Sequence, residues 1–252
     1  MSTLFELDCG GETVTIERTD DDDFIFHGWD EETEMAAIEL GFEPSACWVA
    51  WNAINSNSLD KTLLDQSTDG NAITVETLLF AGANIDTQNA FNETPLFIAA
   101  GYNNIAVVNT LLRAGANTEY DANNGETPLH QAAAYDYPEI AVALLEAGAC
   151  ESPTDLNNWT PLHIATLNDC ADIAQILIAA GANVNAIDHE GWTPLHNISM
   201  GCSSKIVKML LDAGASVDAK DAAGGTPLDM ASEHGNSEVV KIIEDWIAEH
   251  GA

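Results

Sequence analysis

Basic residues are nearly missing from this chain. Seven lysines and arginines stand against 41 aspartates and glutamates in 252 residues, a formal net charge of −34. So few cations leave a surface that repels nucleic-acid phosphates and anionic membranes, so no nucleic-acid or membrane partner is expected. Basic surfaces are attracted instead. Cysteine is scarce: Cys9, Cys47, Cys150, Cys170 and Cys202 are odd in number and widely spaced, without a CxxC pair. That predicts reduced thiols rather than a disulfide framework or a zinc site. No apolar run approaches the ~20 residues that span a bilayer. The first eight residues lack the basic region and apolar core of a signal peptide, so a cytoplasmic protein is expected. Phosphate-binding loops, dinucleotide fingerprints and nucleophile motifs are also missing, so no enzyme is expected. The run Asp20 to Asp23 lacks the spaced ligands and later bidentate Glu of a calcium loop. No metal or cofactor is expected.

What is present is a repeat. Thr-Pro-Leu begins at Thr94, Thr127, Thr160, Thr193 and Thr226, always 33 residues apart. Gly-Ala keeps the same period at Gly82, Gly115, Gly148, Gly181 and Gly214, each preceded by an aliphatic pair such as Leu144-Leu145. A period of this length signals a stack of supersecondary units. In the unit 183–215, Asp188 and Gly191 bracket a tight turn. Thr193 caps a short helix with Pro194 at its first position, where a missing N–H costs nothing. That helix is expected to end near Gly201 and Cys202. A second helix follows from Ser204, with Ile206, Val207, Leu210 and Leu211 at helical spacing and Gly214 at its end. One unit cannot bury its apolar faces alone, whereas stacked copies can.

The markers resemble the ankyrin repeat over roughly residues 57–252. The resemblance implies a mainly α solenoid of about six repeats, including degenerate caps, with hairpin-like fingers on one side. It also implies protein binding through the finger tips and the inner helices. The unit at 57–89 carries Lys61-Thr62-Leu63 in place of the motif and reads as a degenerate N-terminal cap. Glu244 and Asp245 fall in the Leu-Leu region of the last unit, as expected for a polar end cap. Asn92 and Asn158 replace the turn glycine, and Asn tolerates the left-handed conformation best among non-glycines. His130, His163 and His196 recur once per unit. The resemblance implies hydrogen bonds within and between neighbouring turns. Stacked repeats also hold equivalent atoms too far apart to share a zinc ion.

The first 56 residues fall outside the period and read as a small acidic α+β module. Leu4–Cys9 and Thr13–Arg18 alternate apolar and polar residues around Gly10-Gly11, a hairpin signal. A third strand is expected at Phe24–His27, then helices at 30–41 and 46–54.

Partner-binding positions follow from the resemblance: finger residues and the last residues of each first helix have no stacking duty. In this sequence they are Phe91, Glu93 and Tyr102, then Asn124, Glu126 and Tyr135, then Trp159 and Leu167, then Glu190, Trp192 and Met200. Tyr and Trp are typical interface anchors. The two tryptophans, one repeat apart, could equally stack on neighbouring fingers. The leading reading is an acidic inhibitor or immunity-type protein, a monomer when free, that occludes a basic partner such as a toxin or a nucleic-acid-binding enzyme. The competing reading is a general scaffold whose acidity reflects salt adaptation. A metal or enzyme site within the N-terminal module is the third.

Overall fold

The hydrogen-bonding needs of short helices and tight turns dictate most of this architecture. The computed structural model describes residues 2–9, 12–18, 24–27, 49, 53, 57–69, 71–197 and 204–251. Near the N-terminus, β1 (Ser2–Cys9), β2 (Glu12–Arg18) and β3 (Phe24–His27) form an antiparallel sheet in that order. Leu7 pairs with Val14, and Ile16 with Phe26. All three expected strands are therefore present. The expected helix at 30–41 and the Gly10-Gly11 turn lie outside the described residues. Of 46–54, only Val49 and Ala53 are described, both helical.

Among the described residues the helices come in six pairs: α1 (Leu59–Asp69) and α2 (Ala72–Phe80), α3 (Pro95–Gly101) and α4 (Ile105–Arg113), and α5 (Pro128–Ala134) and α6 (Pro138–Glu146). Then come α7 (Pro161–Leu167) and α8 (Ala171–Ala179), α9 (Pro194–Asn197) and α10 (Ser204–Asp212), and α11 (Pro227–Glu233) and α12 (Ser237–His250). First helices pack on first helices and second on second, giving two layers. The degenerate first unit keeps both helices despite its missing motif. The end expected for α9, near Gly201, lies outside the described residues.

The layers meet in one apolar core. Leu96, Leu129, Leu162 and Leu195 follow the prolines of successive first helices and are fully buried. Leu78, Leu111, Leu144, Leu177 and Leu210 do the same for the second helices. Ala99, Ala132, Ala165 and Ala231 are completely covered, and their small size lets helices approach closely. In the last described unit Leu228 is only half-buried, and Glu244 and Asp245 are exposed.

Each motif threonine starts its helix. Thr94, Thr160 and Thr226 accept from the backbone N–H three residues on. The fingers are built on side-chain turns: Asp155 Oδ1 accepts from the N–H groups of Asn157 (2.8 Å) and Trp159 (2.7 Å). Asp188 serves Glu190 and Trp192 in the same way, and Asp221 serves Ala223 and Gly225. Several of the carboxylates behind the net charge are therefore structural acceptors. Successive fingers are joined by backbone bonds, Asn123 N–H to Phe91 O (2.9 Å), Leu156 to Asn124 (3.0 Å), His189 to Asn157 (3.1 Å) and Ala222 to Glu190 (2.8 Å). Asn92 and Asn158 hold the positive φ that Gly125 holds in the third unit.

The recurring histidines lock unit to unit. The N–H groups of Thr127, Thr160 and Thr193 donate to Nδ1 of His130, His163 and His196. With Nδ1 accepting, Nε2 carries the proton and reaches the carbonyl of the next unit: Trp159 (3.0 Å), Trp192 (3.1 Å) and Gly225 (3.4 Å). In the last unit Asp229 fills the slot. Its Oδ2 accepts from Thr226 N–H (3.0 Å) and from Thr226 Oγ1 (2.8 Å). A carboxylate only accepts, so this slot holds its own Thr226 and donates to no further carbonyl. Those two bonds hold the Asp229 carboxyl below its ordinary value.

Burial pushes all three imidazoles below the usual 6.5, and the hydrogen bond to the next unit's carbonyl opposes this only in part. The unfolded chain therefore takes up protons first as pH falls. The ladder's contribution is complete above about pH 6.5 and is lost progressively below it. Urea unfolding should show lower stability at about pH 5.5 than at about pH 7.5, a window above most carboxylate titration. His163→Gln should reduce that slope, and an unchanged slope would remove His163 as one of its sources.

Candidate partner-binding surface

The residues expected to bind a partner divide into exposed and structural groups. Phe91, Tyr102 and Tyr135 are 65%, 64% and 57% exposed, large values for aromatic rings. Phe91 sits at a finger tip, where its N–H donates to Asn89 Oδ1 (2.8 Å). Tyr102 and Tyr135 follow α3 and α5 and close those helices with their backbone N–H groups. Leu167 ends α7 and is partly exposed.

The two tryptophans are half-buried and built into the stack. The Trp159 indole N–H donates to Asp188 Oδ2 (3.1 Å), and its ring stacks on His163 with centroids 6.5 Å apart. Its carbonyl receives His130, as that of Trp192 receives His163. Asn124 and Glu190 are exposed, but their carbonyls hold the next finger. Met200 lies outside the described residues.

Seven side chains, Ile98 among them, meet between the second and third units. Tyr102, Tyr135 and Tyr137 flank a groove of about 400 Å³ whose lining includes Phe97, Glu93 and Gln131. Tyr135 and Tyr137 lie nearly parallel, with centroids 6.0 Å apart and planes 22° apart. Glu93 Oε2 accepts from Asn89 Nδ2 (2.6 Å), and Gln131 Nε2 donates to Glu126 Oε2 (2.6 Å). Glu93, Glu126, Tyr102 and Tyr135 thus converge at one place.

Phe97, Gln131 and Tyr137 were missing from the sequence expectation, yet two of them carried a signal. Phe97 occupies the histidine slot, so the histidine bond made by the later units is absent at this junction. Tyr137 stands at the start of a second helix, where Asn104 and Asn236 cap theirs with side-chain oxygens. Tyr137 makes no such bond. A large aromatic that replaces a useful small polar residue is a sign of another duty. Leu156 and Ile187, 66% and 61% exposed on the fingers, were also missed.

Between second helices a groove of about 420 Å³ is lined by Ile105, Pro138, Val142, Glu146 and Ile176 among others, and contains no expected site residue. Among the described residues no group of three His, Cys, Asp or Glu side chains could hold a metal ion. No helix among them is long and apolar enough to cross a membrane.

A family model described as ankyrin repeats (three copies) matches residues 63–155 and 183–249, and one described as ankyrin repeats (many copies) matches 144–196. An ankyrin repeat domain from Acinetobacter baumannii AYE is similar, with 30% identity and a TM-score of 0.69 over 73% of this chain and 96% of that one. The human ASB11 ankyrin repeat domain shares 27% identity at a TM-score of 0.66, over 75% of this chain and 83% of that one. No curated protein matches at a significant level. With family models covering most of the repeat region and both solved structures sharing its helix-pair stack, the chain belongs to the ankyrin-repeat family.

Proposed function

We propose that this ankyrin-repeat chain is a non-enzymatic module that binds and covers a basic protein, as an inhibitor or immunity-type protein does. Exposed aromatics beside carboxylates, on a chain of net charge −34, carry the reading. Phe91, Tyr102 and Tyr135 supply area that a free monomer gains little from exposing. The field speeds encounter with a positive surface and disfavours other partners. In this reading Trp159, Leu167, Glu190, Trp192 and Met200 belong to the same partner-binding surface. The partner in this reading is a toxin or a nucleic-acid-binding enzyme, whose working surface is basic. The protein acts in the cytoplasm and is a monomer when free.

Residues 1–56 are proposed to form a separate acidic α+β module that seals the first unit. Burial of Ala53 in the apolar core and the bond from Ser58 N–H to Ala53 O (2.8 Å) support that contact.

Scarce lysine favours a second reading, a general scaffold from a salt-adapted source. The two readings part at low ionic strength. A charge-steered binder stays folded at about 20 mM salt, where screening is weak, with a melting temperature within a few degrees of that at about 1 M. A chain that unfolds at low salt and recovers at high salt would overturn the binder reading.

A further inference from the structure

We infer that the groove between the second and third units seats one arginine side chain of the partner. The inference rests on the protein-binding reading and names the chemistry its surface selects. The groove offers aromatic faces and acceptors, and none of its lining residues is Lys or Arg. Tyr135 and Tyr137 present a nearly parallel pair of rings, and Tyr102 faces the groove from the preceding unit. A planar guanidinium stacks on such rings, whereas a compact, strongly hydrated ammonium fits them less well.

The acceptors are held in place. Glu93 is fixed through Oε2 by Asn89, leaving Oε1 for an incoming N–H. The Gln131 amide is fixed through Nε2 by Glu126, so its Oε1 is turned toward Gly101. Buried Phe97 lies against these groups and excludes water from one side. A fork of donors between a carboxylate, an amide oxygen and aromatic faces matches guanidinium and no anion. Gly101 keeps the groove open: a Cβ there would come within 3.0 Å of Gln131 Oε1. The later units place alanine, leucine or glutamate at the described equivalents, Ala134, Leu167 and Glu233.

Isotope-labelled full-length protein titrated with N-acetyl-arginine methylamide tests the inference by NMR. The citrulline counterpart, equal in shape and uncharged, is the control. Saturable shifts confined to the signals of Gly101, Tyr102, Gln131, Tyr135 and Tyr137 are expected with arginine and not with citrulline. Tyr102→Ala, at an exposed position, should weaken the response about three- to tenfold while leaving the rest of the spectrum folded. Gly101→Ala, which adds only a methyl in a helix, should weaken it as well. Equal shifts with citrulline would overturn the groove. So would non-saturating shifts spread over all the acidic fingers, because the arginine would then be a diffuse counterion. Failure of the titration together with capture of a basic partner rejects the groove alone. Seating of arginine without any basic partner rejects the protein-binding reading instead.

Discussion

Leu144→Ala should cost about 2–5 kcal/mol of folding stability, the largest loss expected from truncating one side chain of the stack. Leu144 lies in the last turn of α6, fully buried, with second helices packed on either side. Truncation removes apolar burial and leaves a cavity that two flanking units must both collapse to fill. In a stack whose stability is a sum of unit and junction terms, damage at the centre weakens two junctions together. Urea unfolding should therefore show a lower midpoint and a broader transition, as the two halves begin to unfold apart. Leu145, next in sequence, is only half-buried, and Leu145→Ala should cost roughly half as much or less. Equal costs at the two positions would mean that the facing of this helix is misassigned.

Gly125→Ala should be the next most damaging change, with a loss above about 2 kcal/mol, and Gly148→Ala supplies its control. Both glycines hold a left-handed φ, +81° and +94°. That conformation costs an L-residue roughly 1–2 kcal/mol wherever it occurs. The difference lies in the neighbours. A Cβ on Gly125 would stand 2.7 Å from the backbone nitrogen of Leu156 and 3.0 Å from the carbonyl carbon of Asp155, in the next finger. Backbone cannot rotate aside, so the bond from Leu156 N–H to Asn124 O must lengthen and the fingers part. Nothing lies within 4 Å of a Cβ on Gly148, so strain alone remains there. Asn92 and Asn158 fill the same column with a side chain at φ +60° and +61°, so the clash belongs to the backbone position that Gly125 takes at +81°. Equal losses for the two variants in chemical denaturation would mean that the finger ladder contributes nothing.

The repeat was legible in the sequence because its period is enforced by packing. Thr160 and Pro161 must start a helix, Leu177 must enter the core, and Asp188 must close a turn, so these residues recur in register. One polar substitution was legible for the same reason: Glu244 stands in the column that Leu211 fills one unit earlier, while Ile243 keeps the core position. The candidate surface was only half legible. The exposure of Phe91, Tyr102 and Tyr135 was legible from their columns, since a position without stacking duty is visible once the period is known. Trp159 occupies a similar column, yet its indole is tied to Asp188 and its ring to His163, contacts that depend on the next unit's geometry. Gln131 and Tyr137 were missed because the groove spans a junction and no single unit contains it. Its clearest trace was Phe97, a break in the histidine ladder that reads as decay until its neighbours are seen. The N-terminal strands showed themselves by alternation.

Affinity capture from the native organism's lysate, at about 50 mM and about 300 mM salt, tests the central claim most directly, with the Tyr102→Ala/Tyr135→Ala protein beside the native bait. These two tyrosines are exposed, so their removal spares the stack, unlike changes at Trp159 or Trp192. The account predicts one basic protein retained by the native bait, retained less at the higher salt, and at least about thirtyfold weaker on the double variant, as loss of a buried aromatic anchor implies. A captured partner that is acidic, or that binds the double variant as tightly as the native chain, would contradict it.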